Sequence, residues 1–305
     1  MKHTAFLIAV ILILSVLSAP FAYAAESGIC GDTVTWTYDR TSGTLYISGT
    51  GKMKDYAYPN TPWNALSQSI TKISVSDGVT YIGKNSFRNF YNLKEAKLPD
   101  TLTAIGESAF ASCFALELYS LPENITSIDA NAFYLCEKIT LTRLPEKVTE
   151  IKEGTFFGCA SLNSFVVCEG VTSIGKNAFY YCSNLTDIRL PTTLKTVLQN
   201  AFSDCDSLET VYYVGSDNAW KSITLESGND SIKKATRLDL EFELGDVDQS
   251  GNKDVSDAIY LLYHIYFPED YKVYGNCDFD KSGKVDVSDA IYLLYHIYFS
   301  NVYKL

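Results

Sequence analysis

The chain has 305 residues, 8 Cys, 3 His and a net charge of -11, which is long enough for two domains and too acidic for a nucleic-acid partner. The charge is uneven: residues 241–305 carry 12 acidic and 5 basic side chains (-7), while the first 240 carry 24 and 20 (-4). No basic patch is present, and so few His offer little acid–base chemistry.

Residues 1–24 read as a signal peptide. Lys2 and His3 precede an apolar core, Ala5 to Leu17, and Ala22-Tyr23-Ala24 supplies a small-x-small cleavage pattern. The core is short for a membrane span, so the expectation is an exported protein without a span after signal removal. Residues 25–69 form the next block, in which Thr33 to Tyr38 and Thr44 to Ser48 are β-rich runs around a turn at Asp39 to Gly43. That spacing predicts a β-hairpin that caps the segment C-terminal to it.

That segment, residues 70–240, is a repeat of period 23 with its closing cap. Ile82, Ile105, Ile128, Ile151, Ile174 and Val197 form one column; Phe87, Phe110, Phe133, Phe156, Phe179 and Phe202 form a second. A third holds Cys113, Cys136, Cys159, Cys182 and Cys205 under Phe90. A predicted strand begins in each copy at Leu93, Leu116, Ile139, Leu162, Leu185 and Leu208, and Pro stops four of the six. A unit this short cannot bury its apolar side alone, so copies must stack as a solenoid. The Cys recur singly on an apolar column, which fits buried thiols better than disulfides or a metal.

The unit L-x-x-I-x-L-P-x-x-V-T-x-I-G-x-x-A-F-x-x-C-x-x-L is similar to the leucine-rich repeat of bacterial cell-surface proteins, over about 70–213. The resemblance speaks for fold and only weakly for function. Residues two and four places into each strand are expected to face outward: Glu95, Leu118, Leu141, Ser164, Asp187 and Thr210, then Lys97, Ser120, Arg143, Val166, Arg189 and Tyr212. Tyr134, Phe157, Tyr180 and Tyr181 follow the column Phe on three rungs and are candidates for stacking on a sugar or protein target, the alternative being cover for the convex side. From Val211 the period fails. Trp220 and Ile223 are expected to cover the last rung, and the alternation from Leu238 to Leu244 suggests a final strand.

Residues 241–305 hold two loops, DVDQSGNKDVSD from Asp246 and DFDKSGKVDVSD from Asp278, each followed by the same run, AIYLLYHIYF. Both read D-x-D-x-S-G-x-x-D-x-x-D, the oxygen-ligand schedule of a calcium loop with Gly at the sharp turn. No clear helix enters either loop, and position 12 is Asp rather than Glu. These features resemble the dockerin family, which implies a small all-α domain that binds two Ca²⁺ and plugs into a cohesin domain of a scaffoldin. By that resemblance the first ion takes Asp246, Asp248, Ser250, the Asn252 carbonyl, Asp254 and Asp257. The second takes Asp278, Asp280, Ser282, the Lys284 carbonyl, Asp286 and Asp289. The implied cohesin contacts are Val255, Ser256, Leu262, Tyr263 and Phe267, with Val287, Ser288, Leu294, Tyr295 and Phe299 in the second copy.

The fold class expected is therefore α+β: a leucine-rich-repeat solenoid with an N-terminal β cap, followed by a calcium-binding helical module. The expected function is that of a secreted, non-catalytic component of a cellulosome-like complex, surface-associated through a scaffoldin, whose repeats bind a protein or plant-wall polysaccharide. An enzyme with its site in the repeats, or an adhesin, are the alternatives.

Overall fold

The computed structural model describes residues 26–213, 216–239, 255–266 and 284–298, together with Val247, Cys277 and Phe279. The signal peptide expected over 1–24 lies outside them. The described residues fall into two compact units, the first holding the N-terminal cap and the repeats, the second Leu190–Thr192, Tyr212–Ser222 and everything from Arg237.

The cap begins one strand earlier than the hairpin predicted from sequence. β1 (Glu26–Ile29) pairs antiparallel with β2 (Val34–Asp39), which pairs with β3 (Thr44–Gly49) through Tyr38↔Leu45 and Asp39↔Thr44. β3 alternates buried and exposed residues from Leu45 to Ser48, and it pairs in parallel with the first repeat strand, Leu45 opposite Ile73. The hairpin therefore passes its ladder directly to the repeats, and β4 (Gly51–Lys52) starts a second one.

Each rung has three sides. On the first lie β5 (Lys72–Val75), β7 (Glu95–Lys97), β11 (Ser164–Val166), β13 (Asp187–Leu190) and β15 (Thr210–Tyr213). On the second lie β6 (Val79–Ile82), β8 (Ala104–Ile105), β9 (Ser127–Ile128), β10 (Glu150–Ile151), β12 (Ser173–Ile174), β14 (Thr196–Val197) and β16 (Thr224–Leu225). The third side consists of turns, yet it too is a ladder: Phe87, Phe110, Phe133, Phe156 and Phe179 each donate their N–H to a carbonyl of the next rung at 2.8–3.0 Å.

Two residues per rung make those turns possible by adopting positive φ. They recur with the repeat, as Asn85, Ser108, Asn131, Gly154, Asn177 and Asn200, and four places later as Asn89, Ser112, Leu135, Gly158, Tyr181 and Asp204. Asn and Gly tolerate this left-handed region, whereas Leu135 (φ 56°) and Tyr181 (φ 60°) occupy it at a cost of about 1 kcal/mol or more.

The core is the stack of columns. The six column Phe are fully buried, with successive ring centroids 5.2–5.9 Å apart, and Trp63 of the cap lies 5.8 Å from Phe87 to close the stack. The Cys column is buried and reduced. Its thiols do more than fill space. Cys113, Cys136, Cys159, Cys182 and Cys205 each donate Sγ–H to the carbonyl of the column Phe one rung earlier, at 3.0–3.2 Å. That carbonyl also accepts the N–H three residues on, as Phe87 O does from Phe90, so the thiol engages a second lone pair inside the core. Burial pushes the thiol pKa values up, that of Cys205 to about 12.

The coil continues one rung past the point where the period ends. β16 pairs in parallel with β14, Val197 opposite Leu225, and Ile223 is buried beside it. Helix α1 (Asp217–Ser222) is inserted before β16, and α2 (Asp230–Lys234) comes after it. Between them Asn229, wholly buried, imitates the missing next rung. Its Oδ1 accepts the Phe202 N–H at 3.0 Å, and its Nδ2 donates to Leu198 O at 2.9 Å and Glu226 O at 3.0 Å. Trp220, expected over the last rung, packs edge-on to Tyr213 and under the Arg237 guanidinium, all within the second unit. The predicted final strand begins earlier than expected, as β17 (Thr236–Asp239), and its predicted continuation lies outside the described residues.

Candidate binding site

The repeat strands change phase in the middle of the array. In the rungs starting at Leu93, Leu162, Leu185 and Leu208 the residue three places on is buried (Ala96, Phe165, Ile188, Val211). In those starting at Leu116 and Ile139 the buried residue comes one place sooner, Leu118 and Leu141, and Tyr119 and Thr142 are exposed. The expectation that Leu118 and Leu141 face outward is thus wrong. Side chains alternate with period two, so moving the apolar residue by one place turns the strand over. The signal was present as φ-x-L in LELYSL and ITLTRL against L-x-x-φ elsewhere, φ being apolar.

The slip breaks the ladders. On the first side isolated bridges remain, Glu95↔Glu117 and Arg143↔Val166, with Thr140 N donating to Leu118 O at 3.0 Å between the two slipped rungs, and strands predicted at Leu116 and Ile139 do not form. On the second side β9 and β10 end separate sheets. Thr140 Oγ1 is buried there without a hydrogen-bond partner. The third side stays continuous, with Phe133 N to Thr155 O at 3.0 Å and Leu135 N to Phe157 O at 2.6 Å.

Where β7 and the slipped rung part, a groove of about 860 Å³ opens. Its walls run from Lys94 to Asp100 and from Glu117 to Glu123, with Leu98, Leu118 and Leu121 among the apolar lining. Tyr119, 68 % exposed, separates it from a small hollow of about 60 Å³ against Arg143 and Pro145. Lys72 is engaged by Glu95 at 3.1 Å, and Arg143 by Glu123 and Glu146.

The candidate aromatic residues separate into two groups. Tyr134, Phe157 and Tyr180 stack face to face on successive rungs, with centroids 4.4 and 4.9 Å apart, and are half-buried by one another. Tyr180 hydrogen-bonds Asp204, which holds its hydroxyl pKa above the ordinary phenol value. Tyr181 is not in the stack: at positive φ it stands 56 % exposed.

In the second unit, helices α3 (Val255–Tyr266) and α4 (Val287–Tyr298) carry the two identical runs. Ala258, Leu261, Ala290 and Leu293 join Val247, Cys277 and Phe279 in one core, and Leu262, Ile265, Leu294 and Ile297 pack against it. Leu262 and Leu294 are therefore partly committed to packing. The outward face of each helix is instead Ile259, Tyr263 and Tyr266, and Ile291, Tyr295 and Tyr298, with Val255, Ser256, Val287 and Ser288 at the helix starts. Asp257 and Asp289, in the first turns, are fully shielded from water. Asp257 Oδ1 accepts from Val247 N at 2.6 Å, and Asp289 Oδ2 from Asp286 N at 2.8 Å. Asp286 Oδ1 in turn accepts from Ser288 N, so Asp286 and Asp289 cap α4 reciprocally. Lys284 is exposed. Asp246, Asp248, Ser250, Asn252, Asp254, Phe267, Asp278, Asp280, Ser282 and Phe299 lie outside the described residues.

Against this geometry, the model of the BspA-type leucine-rich repeat region matches six copies over residues 64–186 and 152–227, more than half of the chain. The chain belongs to the BspA-type leucine-rich-repeat family. Solved structures to which the chain is similar include a leucine-rich repeat protein of Eubacterium ventriosum, 21% identical over 71% of this chain and 85% of that one, TM-score 0.32. The leucine-rich repeat protein of T. pallidum is 21% identical over 68% of this chain and 94% of that one, TM-score 0.45. A leucine-rich cell surface protein of Faecalibacterium prausnitzii is 18% identical over 70% of this chain and all of that one, TM-score 0.28. No curated protein matches. Among the described residues no helix is long and apolar enough to cross a membrane.

Proposed function

We propose that this BspA-type repeat protein is an exported, non-catalytic bacterial binding protein with two working ends. The repeats hold a protein target, and the paired loops and helices are a dockerin-type module that seats in a scaffoldin cohesin when calcium is bound. Surface association through that scaffoldin is what the two resemblances imply together.

The observation that carries the calcium reading is the complete burial of Asp257 and Asp289 at the last position of both acidic loops. Both carboxylates are held in place by backbone N–H groups at the ends of the loops, and the remaining loop oxygens are the hard donors that suit Ca²⁺. The residues therefore fit the ion. Asp246, Asp248, Ser250, Asp254, Asp257 and the Asn252 carbonyl would hold the first; Asp278, Asp280, Ser282, Asp286, Asp289 and the Lys284 carbonyl the second. When bound, calcium would balance the charge of these carboxylates, while Val247 and Phe279, at the second position of each loop, sit in the shared core. Partner contact then belongs to the matching outward faces, with Ile259, Tyr266, Ile291 and Tyr298 added to the residues implied by resemblance.

Calorimetry on the full chain should show two calcium ions bound, and a cohesin panel should capture the chain with calcium and release it with chelator. Uptake of no calcium refutes the module. Because the outward faces repeat residue for residue, charging one of them (Ile259→Asp with Tyr263→Asp) should leave capture nearly intact, whereas charging both abolishes it. Loss from one copy alone would show that only one face is used.

A further inference from the structure

We infer that the groove between the rungs starting at Leu93 and Leu116 is a docking site for an extended, basic peptide segment of a partner protein, which adds as a strand to the open backbone of Tyr119–Leu121. This rests on the reading that the repeats bind protein.

The backbone supplies the first argument. Beyond the bridge Glu95↔Glu117 the two walls diverge, and among the described residues the N–H and C=O groups of Leu98, Tyr119, Ser120 and Leu121 make no hydrogen bond. Where the strands pair, as along β11, β13 and β15, such groups are consumed by the neighbouring rung. An open row of strand donors and acceptors is a template for another strand, and peptides bind sheet edges in this way. The walls offer about 20 Å of extended length at ~3.3 Å per residue.

Charge supplies the second. Glu95 holds Lys72 and Glu123 holds Arg143. Among the described residues, by contrast, Asp100 and Glu117, the latter accepting only the Tyr119 hydroxyl at 3.4 Å, stand exposed at the rim without an ion-pair partner, and Lys94 is the one uncommitted cation in the lining. An extended peptide sets alternate side chains on one face, so a Lys or Arg at every second position meets this rim while the residues between them lie over Leu118 and Leu121. Tyr119 fits the same occupant. Among the described residues it is the most exposed of the large apolar side chains, and it stands between the groove and the hollow by Arg143, where its ring can cover an incoming side chain.

The probe is a blocked hexapeptide alternating Val and Lys, added to the full chain and compared with its Val/Glu counterpart and with a copy N-methylated on alternate residues. The basic peptide should bind saturably and slow amide exchange at Tyr119 and Leu121 at least about tenfold, while the other two bind at least about tenfold more weakly. Asp100→Lys with Glu117→Lys, both exposed positions, should weaken binding by a similar factor without moving the melting temperature. Equal binding of the acidic or methylated peptide, or indifference to the charge reversal, overturns the inference. Binding abolished by Tyr134→Ala with Tyr180→Ala but not by the groove substitutions overturns it too, while leaving protein recognition by the repeats standing. Failure of both peptides alongside saturable binding of plant-wall oligosaccharides to the repeats overturns both.

Discussion

Asn229 is the most economical place to test how the repeat array ends. Replacing it by Ala removes three hydrogen bonds, to Phe202 N, Leu198 O and Glu226 O, at a side chain with no exposure to solvent. A net hydrogen bond contributes roughly 0.5–1.5 kcal/mol, and a buried amide left without an acceptor costs about 1–3. Relaxation and water entry offset part of that total, so the expected loss is about 3 kcal/mol, or roughly 150-fold in the local opening equilibrium. The loss should be local, because each rung touches chiefly its neighbours. Amide exchange in the native full chain is the suitable assay: Phe202 and its rung should exchange about a hundredfold faster, with Phe87 and Phe110 unchanged. Asn124→Ala is the reference, since that exposed amide spans from one rung to Asp100 O at 2.9 Å without closing the array. If Phe202 exchange changes less than about threefold, or no more than in the reference, Asn229 is not the terminal cap.

Phe156→Ala, which removes a ring lying 5.4–5.9 Å from Phe133, Phe165 and Phe179, should cost about 3–5 kcal/mol in urea unfolding, and an unchanged midpoint would show that the column is not the core. Tyr181→Asn should raise stability by about 1 kcal/mol by relieving a bulky side chain at positive φ; a fall would mean that the exposed ring contributes packing. Alkaline titration should expose the thiols. Their folded pKa values lie above the unfolded one, so their stabilising effect is whole below about pH 8.5 and is lost as pH rises toward the folded value, about 12 for Cys205. Cys205→Ala should accordingly flatten the loss of stability between pH 9 and 12, and an identical pH profile would refute the assignment.

Much of the solenoid could be read from residue identity because one column admits one kind of side chain. Phe at every twenty-third position declares a stack, and the spacing of Ile and Cys fixes the other walls. The hairpin was equally plain from its alternation. What escaped depended on relations between rungs rather than on composition. The overturned strands at Leu118 and Leu141 keep the period and the apolar count, and only the place of one leucine differs. Asn229 lies beyond the failure of the period, so nothing marked it as a stand-in for a carbonyl. The thiol-to-carbonyl bonds were invisible for a further reason, since buried Cys is ordinarily only a small apolar residue. In the second unit the repeated run declared paired helices, but which side each turned outward depended on packing against Val247 and Phe279.

The phase slip has a mechanical consequence. Between Ile128 and Ile151 one of the three hydrogen-bonded seams is cut and a second is thinned to Thr140 N on Leu118 O at 3.0 Å, while the intact one runs beside the tightest ring contact among the described residues, Tyr134 on Phe157 at 4.4 Å. The stack is thus two booklets bound chiefly along one spine. A pull along the repeat axis would part the pages on the strand side first and leave the aromatic spine to hold, so the strand surface one rung beyond the groove is the one whose width answers to tension.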